Sequence, residues 1–256
     1  MPAARNDAAA KAAGRPASEM VAHTHVGHVR ESNEDAHKIA RDIGLVVVAD
    51  GMGGHAGGEV ASAIVVESLE REIRAIGAFA TAAPALALTA AIRAANDAVR
   101  ATGVEKPELR GMGSTVVCAL IIDRTAHVAH AGDSRAYRVR KGAIERLTHD
   151  HSLVEEYLRD NPGSSEDDLD GAYKHLVTRA VGASPVLEVD VSEVVCEPGD
   201  VVIFCSDGLT GPVDDESIAS IVSGAATLDA AAQGLIDAAL EGGGPDNVTV
   251  ALVKIG

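Results

Sequence analysis

Leu45-Val46-Val47-Val48-Ala49-Asp50-Gly51-Met52-Gly53-Gly54-His55 is a continuous apolar run that ends in a carboxylate and a glycine-rich turn, and Gly57-Gly58-Glu59 then opens a helical pattern. An all-apolar run of this length reads as a strand buried on both faces. Asp50 stands where the chain leaves the core, so its carboxylate can face solvent, a ligand or a cation. The glycines after it let backbone groups approach the same point closely.

The surrounding pattern extends this reading in both directions. Ala36–Ala40 and Ile43–Ala49 read as a hairpin around Arg41-Asp42, which sets Asp35 and Asp50 at one end of neighbouring antiparallel strands. A strand is expected over Met20–Val26, and a polar loop with Arg30, Glu34 and Asp35 joins it to the hairpin. Val65, Leu69, Ile73 and Ile76 repeat at helical spacing from Gly57 to Ile76, and Pro84–Ala101 carries a second helical face. Thr115–Ile122, Ala126–Ala131, Arg135–Arg140 and Ala143–Leu147 read as strands, the last two as a hairpin turning at Gly142. Ser152-Leu153-Val154-Glu155 has the form of a capping box and starts a short helix to Arg159. Strand character returns at Val186–Cys196 and Val201–Cys205, helices follow near Asp214 and around Ala232–Ala239, and Val248–Ile255 is the last strand.

Composition excludes several classes. Of 256 residues 46% are hydrophobic but only 2% are aromatic, so the core must be aliphatic. A formal net charge of -16 opposes binding to nucleic acid or an anionic membrane, both of which require clustered Lys and Arg. The three cysteines, Cys118, Cys196 and Cys205, lie in apolar strand-like surroundings without a CxxC pair, which points to buried free thiols in a reducing cytoplasm. No apolar run approaches the roughly 20 residues that span a bilayer. Residues 1–18 read as a disordered arm and 19–256 as one domain, with a polar, acidic excursion inside about 152–181.

Asp133, Asp207 and Asp246 repeat the setting of Asp50, each at the junction of an apolar strand and a glycine-containing turn. A lone Asp there is an ordinary turn residue. Several converging carboxylates instead repel one another unless cations neutralise them, and hard oxygen ligands select Mg²⁺ or Mn²⁺. Two such ions roughly 3.5–4 Å apart can activate water and stabilise displacement at phosphorus.

Val29-Arg30-Glu31-Ser32-Asn33-Glu34-Asp35, Asp50-Gly51-Met52-Gly53-Gly54-His55, Gly111-Met112-Gly113-Ser114-Thr115, Gly132-Asp133-Ser134-Arg135, Cys205-Ser206-Asp207-Gly208 and Gly244-Pro245-Asp246-Asn247-Val248-Thr249 together resemble the successive motifs of the metal-dependent protein phosphatases, the protein phosphatase 2C or PPM class, in its bacterial form. The resemblance runs from about Val21 to Ile255. It implies an α+β fold, a four-layer αββα sandwich of two antiparallel sheets flanked by helices. It implies a monomeric phosphoserine/phosphothreonine protein phosphatase that uses Mn²⁺ or Mg²⁺, attacks directly with metal-activated water and opposes a bacterial serine/threonine kinase. Two ions occupy the core site in this reading, with a third near Asp133.

By position, Asp50 matches the carboxylate bridging both ions, Gly51 a ligand through its carbonyl, Asp207 and Asp246 further ligands, and Asp133 a ligand of the third ion. Glu34 and Asp35 match acids acting through metal-bound water, and Arg30 the residue that binds the substrate phosphate. The segment 152–181 matches the family's variable flap. One departure is Met52, which stands where many eukaryotic members have a His proposed as leaving-group acid. His55 is the nearby candidate acid, although a His in such a turn more commonly bonds backbone; His149 and His151 read as surface residues near the site. Two other functions fit parts of the pattern: a catalytically weak regulatory member of the same fold, and an unrelated acidic cation-binding module. Neither uses the full set of Arg30 and strand-end carboxylates.

Overall fold

A computed structural model describes residues 18–53, 57–165, 168–169, 173 and 176–256. The expectations for residues 1–17 and for His55 therefore lie outside the described residues. Among the described residues eleven strands form two antiparallel sheets. The first contains β1 (Glu19–His25), β7 (Arg135–Arg140), β8 (Ala143–Arg146), β10 (Val201–Cys205) and β11 (Val248–Lys254), ordered β1-β11-β10-β7-β8. The second contains β2 (Asp35–Ala40), β3 (Leu45–Met52), β5 (Val116–Ile122), β6 (Thr125–Ala131) and β9 (Asp190–Val195), ordered β2-β3-β5-β6-β9, with the short β4 (Gly113–Ser114) paired to the end of β3.

Helices cover both outer faces. α1 (Gly57–Ile76), the short α2 (Ala78–Ala82) and α3 (Pro84–Glu105) pack on the second sheet, and α6 (Asp215–Gly224) and α7 (Leu228–Glu241) pack on the first. α4 (Leu153–Asp160) lies in the segment expected to form a flap, and α5 (Asp207–Thr210) follows β10 directly.

The apolar strands are explained by the four layers. In β3, Leu45, Val47 and Ala49 meet the helices while Val46 and Val48 face the opposite sheet. In β10, Val201, Ile203 and Cys205 meet α6 and α7, while Val202 and Phe204 fill the space between sheets. A strand buried on both faces has no polar side to display, so strict alternation disappears from its sequence. The large, fully buried side chains are mostly Leu and Ile, with Tyr137 and Phe204 as the aromatic members.

Local signals set the element ends. Ser152 caps α4 by accepting the Glu155 N–H, Asp214 caps α6 by accepting the Ser217 N–H, and Thr227 caps α7 by accepting the Ala230 N–H. Lys141 and Gly142 both have positive φ, the conformation that a tight two-residue hairpin needs. Two helical expectations change. α3 continues to Glu105, because one glycine, Gly103, weakens a helix without ending it, and the helix stops before Pro107. The alanine-rich stretch before Pro84 forms the additional helix α2. Among the described residues no helix is long and apolar enough to cross a membrane.

Candidate active site

The alternation that builds the core continues past its edge. Asp50 follows Val46 and Val48 in parity, Ser206 follows Val202 and Phe204, and Thr249 precedes Ala251 and Val253. These polar residues therefore sit at one open end of the gap between the sheets. Asp35 opens β2 directly opposite Asp50 in register. Asp133 lies in the turn between β6 and β7, Asp207 begins α5, and Asp246 precedes β11. The sequence-expected Arg30, Glu34, Asp50, Gly51, Asp133, Asp207 and Asp246 all line one cleft of about 1000 Å³. Asp35 lies behind it, half-buried, with its Oδ1 atom out of solvent.

Glycines make this convergence sterically possible. A Cβ on Gly51 would lie 2.1 Å from the Gly58 carbonyl oxygen and 2.6 Å from that of Glu34. A Cβ on Gly58 would lie 2.0 Å from Glu34 Oε2. The turn after β3 and the start of α1 thus close on Glu34 as a cradle that only glycine leaves open.

A second set of polar residues holds the carboxylates. Asn247 Oδ1 accepts the Glu34 N–H at 2.7 Å, and its Nδ2 donates to Val26 and Ser32 carbonyls, both at 2.9 Å. That one amide shapes the loop that presents Arg30 and Glu34. Ser206 Oγ donates to Asp35 Oδ2 at 2.7 Å and accepts the Thr249 N–H at 3.0 Å. Thr115 Oγ1 accepts the Asp50 N–H at 3.0 Å and lies 2.7 Å from Ser134 Oγ, tying the Asp50 strand end to the Asp133 turn. Arg135 forks onto buried Asp150, bracing the same turn from below.

The cleft's electrostatics are strained without cations. Burial pushes the Asp35 carboxyl up to about 7, with Asp207 and Asp246 adding to the effect against the bond from Ser206. Asp133 is also pushed up to about 7, by burial and then by Asp207 and Asp150. Asp50 is raised well above the ordinary carboxylate range by burial, then by Asp35, Asp207, Asp133 and Asp246. Glu34 is raised by burial, partly offset by Arg30. Asp35 Oδ1 is buried and accepts no hydrogen bond from the described residues. A buried, unsatisfied carboxylate oxygen among like charges, with hard oxygen donors around it, fits divalent cations of the Mg²⁺ or Mn²⁺ type. The cation supplied by the chain itself is Arg30, whose Nη2 lies 2.6 Å from Asp246 Oδ2.

Asn247, Thr115, Ser134 and Ser206 carry no role in the sequence reading beyond membership of the motifs, apart from a structural role for Ser206. Their signal was adjacency: each stands within one residue of a motif carboxylate or, for Thr115, at the start of an apolar strand. One expectation is corrected. His149 is exposed as anticipated, but His151 is buried, because it follows Asp150 into the space beneath the Asp133 turn. The acidic run Ser164–Asp170 is described only in part, and Ser165 and Asp168 there are exposed.

Comparison with known proteins agrees with this geometry. The family model for protein phosphatase 2C matches residues 22–240. The serine/threonine phosphatase stp of Listeria monocytogenes is 35% identical over 232 residues, covering 89% of this chain and 92% of that protein. The crystal structure of the Mycobacterium tuberculosis serine/threonine phosphatase PstP/Ppp superposes with a TM-score of 0.83 at 34% identity, over 93% of this chain and 98% of that one. A structure of the PstP catalytic domain in complex with 2 manganese ions gives a TM-score of 0.80 at 35% identity, over 93% and 97% of the two chains. With the family model spanning most of its length and two antiparallel sheets meeting at a carboxylate-lined cleft, this chain belongs to the protein phosphatase 2C family.

Proposed function

We propose that this chain is a metal-dependent serine/threonine protein phosphatase whose reaction centre is the cleft at the end of the sandwich. The observation that carries the reading is the convergence of Asp50, Asp133, Asp207 and Asp246 from four strand ends on one cleft that also holds Arg30. Asp50, the Gly51 carbonyl, Asp207 and Asp246 would hold two Mn²⁺ or Mg²⁺ ions, Asp133 a third, and Glu34 and Asp35 would act through water. Divalent ions bound there supply Lewis acidity toward a phosphoryl group and lower the pKa of water.

The chain's own residues do the rest. Arg30 presents paired N–H donors to phosphate oxygens and offsets charge as a dianion enters a carboxylate-rich cleft. In this reading its pairing with Asp246 is exchanged for substrate. Ser206 and Asn247 fix Asp35 and Glu34 by hydrogen bonds, so the acids do not reorganise during the reaction. A cysteine nucleophile is not supported: Cys118, Cys196 and Cys205 are buried, and burial pushes the Cys118 and Cys205 thiols up to about 12. The buried free thiols also support a cytoplasmic setting. Substrates are phosphoserine and phosphothreonine proteins, and a serine/threonine kinase must supply them, since that is the reaction that makes the ester this one cleaves.

The test is phosphate release from a phosphothreonine peptide with Mn²⁺, with Mg²⁺ and with chelator. Release should require the metal and vanish in Asp50→Asn and Asp207→Asn. Undiminished activity in either variant overturns the ligand assignment.

A further inference from the structure

His130, His151 and Asp190 form a compact group outside the acidic cleft, with ring nitrogens and carboxylate within 4.8 Å of one another. The two rings stack at 4.6 Å with 9° between planes. This resembles a transition-metal site, but the hydrogen bonds assign the ring protons otherwise. His130 Nε2 lies 2.8 Å from the His149 carbonyl, which can only accept, so that nitrogen carries its proton. His151 Nδ1 lies 3.1 Å from the Gly132 N–H, so it must accept. A neutral His151 ring therefore carries its proton on Nε2, 3.3 Å from Asp190 Oδ2, and has no lone pair there for a metal. Arg179 Nη1 lies 3.3 Å from the same Nε2, a contact between two donors, and Asp190 separates their bonds by taking Nη1 on Oδ1 at 3.1 Å and facing Nε2 with Oδ2. Burial lowers both ring pKa values, which agrees with neutral rings.

The neutral ring has a different task. His151 takes the Gly132 N–H with Nδ1 and gives its own N–H to the Gly132 carbonyl at 3.0 Å, holding both polar groups of one glycine. Gly132 has φ +116, and a Cβ there would meet the Thr115 side chain at 2.6 Å, so the turn lies directly against the residue that bonds the Asp50 N–H. On its other side the His151 carbonyl accepts the Thr178 N–H at 2.7 Å. Thr178 follows Leu176 and Val177, which line the rim of the acidic cleft. Gly132 precedes Asp133.

We infer that His151 is a positioning residue for Asp133: its ring and main chain clamp the Gly132-Asp133 turn and join it to the Leu176–Thr178 rim. This rests on the proposed role of Asp133 as an ion ligand. The consequence is that the cation affinity contributed by Asp133 depends on the acceptor at His151, while the sites built on Asp50, Asp207 and Asp246 do not.

Three measurements on the intact chain test this. First, ¹⁵N NMR of the unsubstituted protein should show His151 protonated at Nε2 and bare at Nδ1; a proton on Nδ1 overturns the inference. Second, exchange of the Gly132 amide should speed up by about tenfold or more in His151→Leu, the effect of losing one buried hydrogen bond. It should stay slow in His151→Asn, whose Oδ1 stands where Nδ1 stood. Equal exchange in both variants and the parent overturns it. Third, Mn²⁺ binding followed by calorimetry should lose the same weak class in Asp133→Asn and His151→Leu, with that class retained in His151→Asn. If Asp133→Asn removes it and His151→Leu leaves it intact, the clamp has no part in ion binding. If Asp133→Asn leaves every class intact, the ligand role of Asp133 fails and takes the clamp's role in ion binding with it, while the first two measurements still report on the clamp itself.

Discussion

Stripping divalent cations from this protein should make its stability fall as pH rises toward and through neutrality, and level off by about pH 8. Asp35 and Asp133 are held at about 7 in the folded state, against an ordinary value of 3.8. Between those values the folded chain keeps protons that the unfolded chain has released, so unfolding becomes easier as pH increases. The four histidines lowered by burial, His37, His127, His130 and His151, act in the opposite sense, and their effect ends once pH exceeds the unfolded His value near 6.5. The window from pH 6.5 to 8 therefore isolates the acidic cleft. A carboxyl titrating near 7 loses about 0.8 kcal/mol across that window, so the two together cost about 1.6 kcal/mol, and Asp50 adds in the same direction. For a domain of this size that is a fall of about 3–6 °C in Tm. With no tryptophan in the chain, calorimetry or circular dichroism in chelator is the assay. Mn²⁺ at about 100 times its Kd should restore about 2.7 kcal/mol, and more at pH 8 than at 6.5, because binding displaces protons at the lower pH. Asp50→Asn should be more stable than the parent in chelator at pH 8 and insensitive to Mn²⁺. A Tm that rises or stays level from pH 6.5 to 8 in chelator would refute the account of the cleft as a set of destabilised carboxylates.

Arg30→Ala should raise KM for a phosphopeptide by about 10- to 100-fold, the loss of charge-assisted hydrogen bonds. Because Arg30 competes for Asp246 in an exposed pair, the same variant should tighten Mn²⁺ binding by about two- to fivefold in calorimetry, and weaker binding would contradict that pairing. Gly51→Ala drives a Cβ into two backbone carbonyls, so a loss of about 1–3 kcal/mol in unfolding free energy and loss of Mn²⁺ binding are expected. Wild-type behaviour in Gly51→Ala would mean that the turn can open. Ser206→Ala removes the donor to Asp35 and the acceptor for Thr249, and should cost about 1–3 kcal/mol in equilibrium unfolding at pH 8; an unchanged midpoint would show that water replaces the hydroxyl.

How much of this was legible in the sequence depended on whether the signal was local. The strands and helices were, since apolar runs, helical spacing and caps such as Ser152 and Asp214 act over a few residues. Hairpin pairing was legible too, at β2–β3 and β7–β8, but distant pairing was not: β1 beside β11 and β7 beside β10 join segments separated by most of the chain or by intervening elements, and no short pattern encodes them. The candidate site divides along the same line. Asp50, Asp133, Asp207 and Asp246 were visible because each ends an apolar strand at a glycine. Asn247 and Ser206 act on Glu34 and Asp35 from the opposite end of the chain, so their partners appear only when the sheets stack. His151 reads as a surface residue for a related reason: it stands in a polar stretch, and its burial comes from the turn and rim closing over it.

The pairing of Asp35 with Asp50 explains how the fold holds an arrangement its own electrostatics oppose. Like charges directly opposite across two strands are destabilising. Sliding the pair apart by one residue would relieve them, but would also turn Val46 and Val48 toward the helices and Leu45, Val47 and Ala49 toward the opposite sheet. All five are fully buried, and the two faces are packed against different partners. Repacking five core side chains costs far more than one carboxylate repulsion, at about 1–3 kcal/mol for each poor fit. The apolar register of β3 therefore imposes the acidic register beyond it. The repulsion stored there is the free energy that a divalent cation recovers on binding, which is why affinity for the ion and instability without it should change together in variants such as Asp50→Asn that alter the cleft's charge and leave its backbone in place.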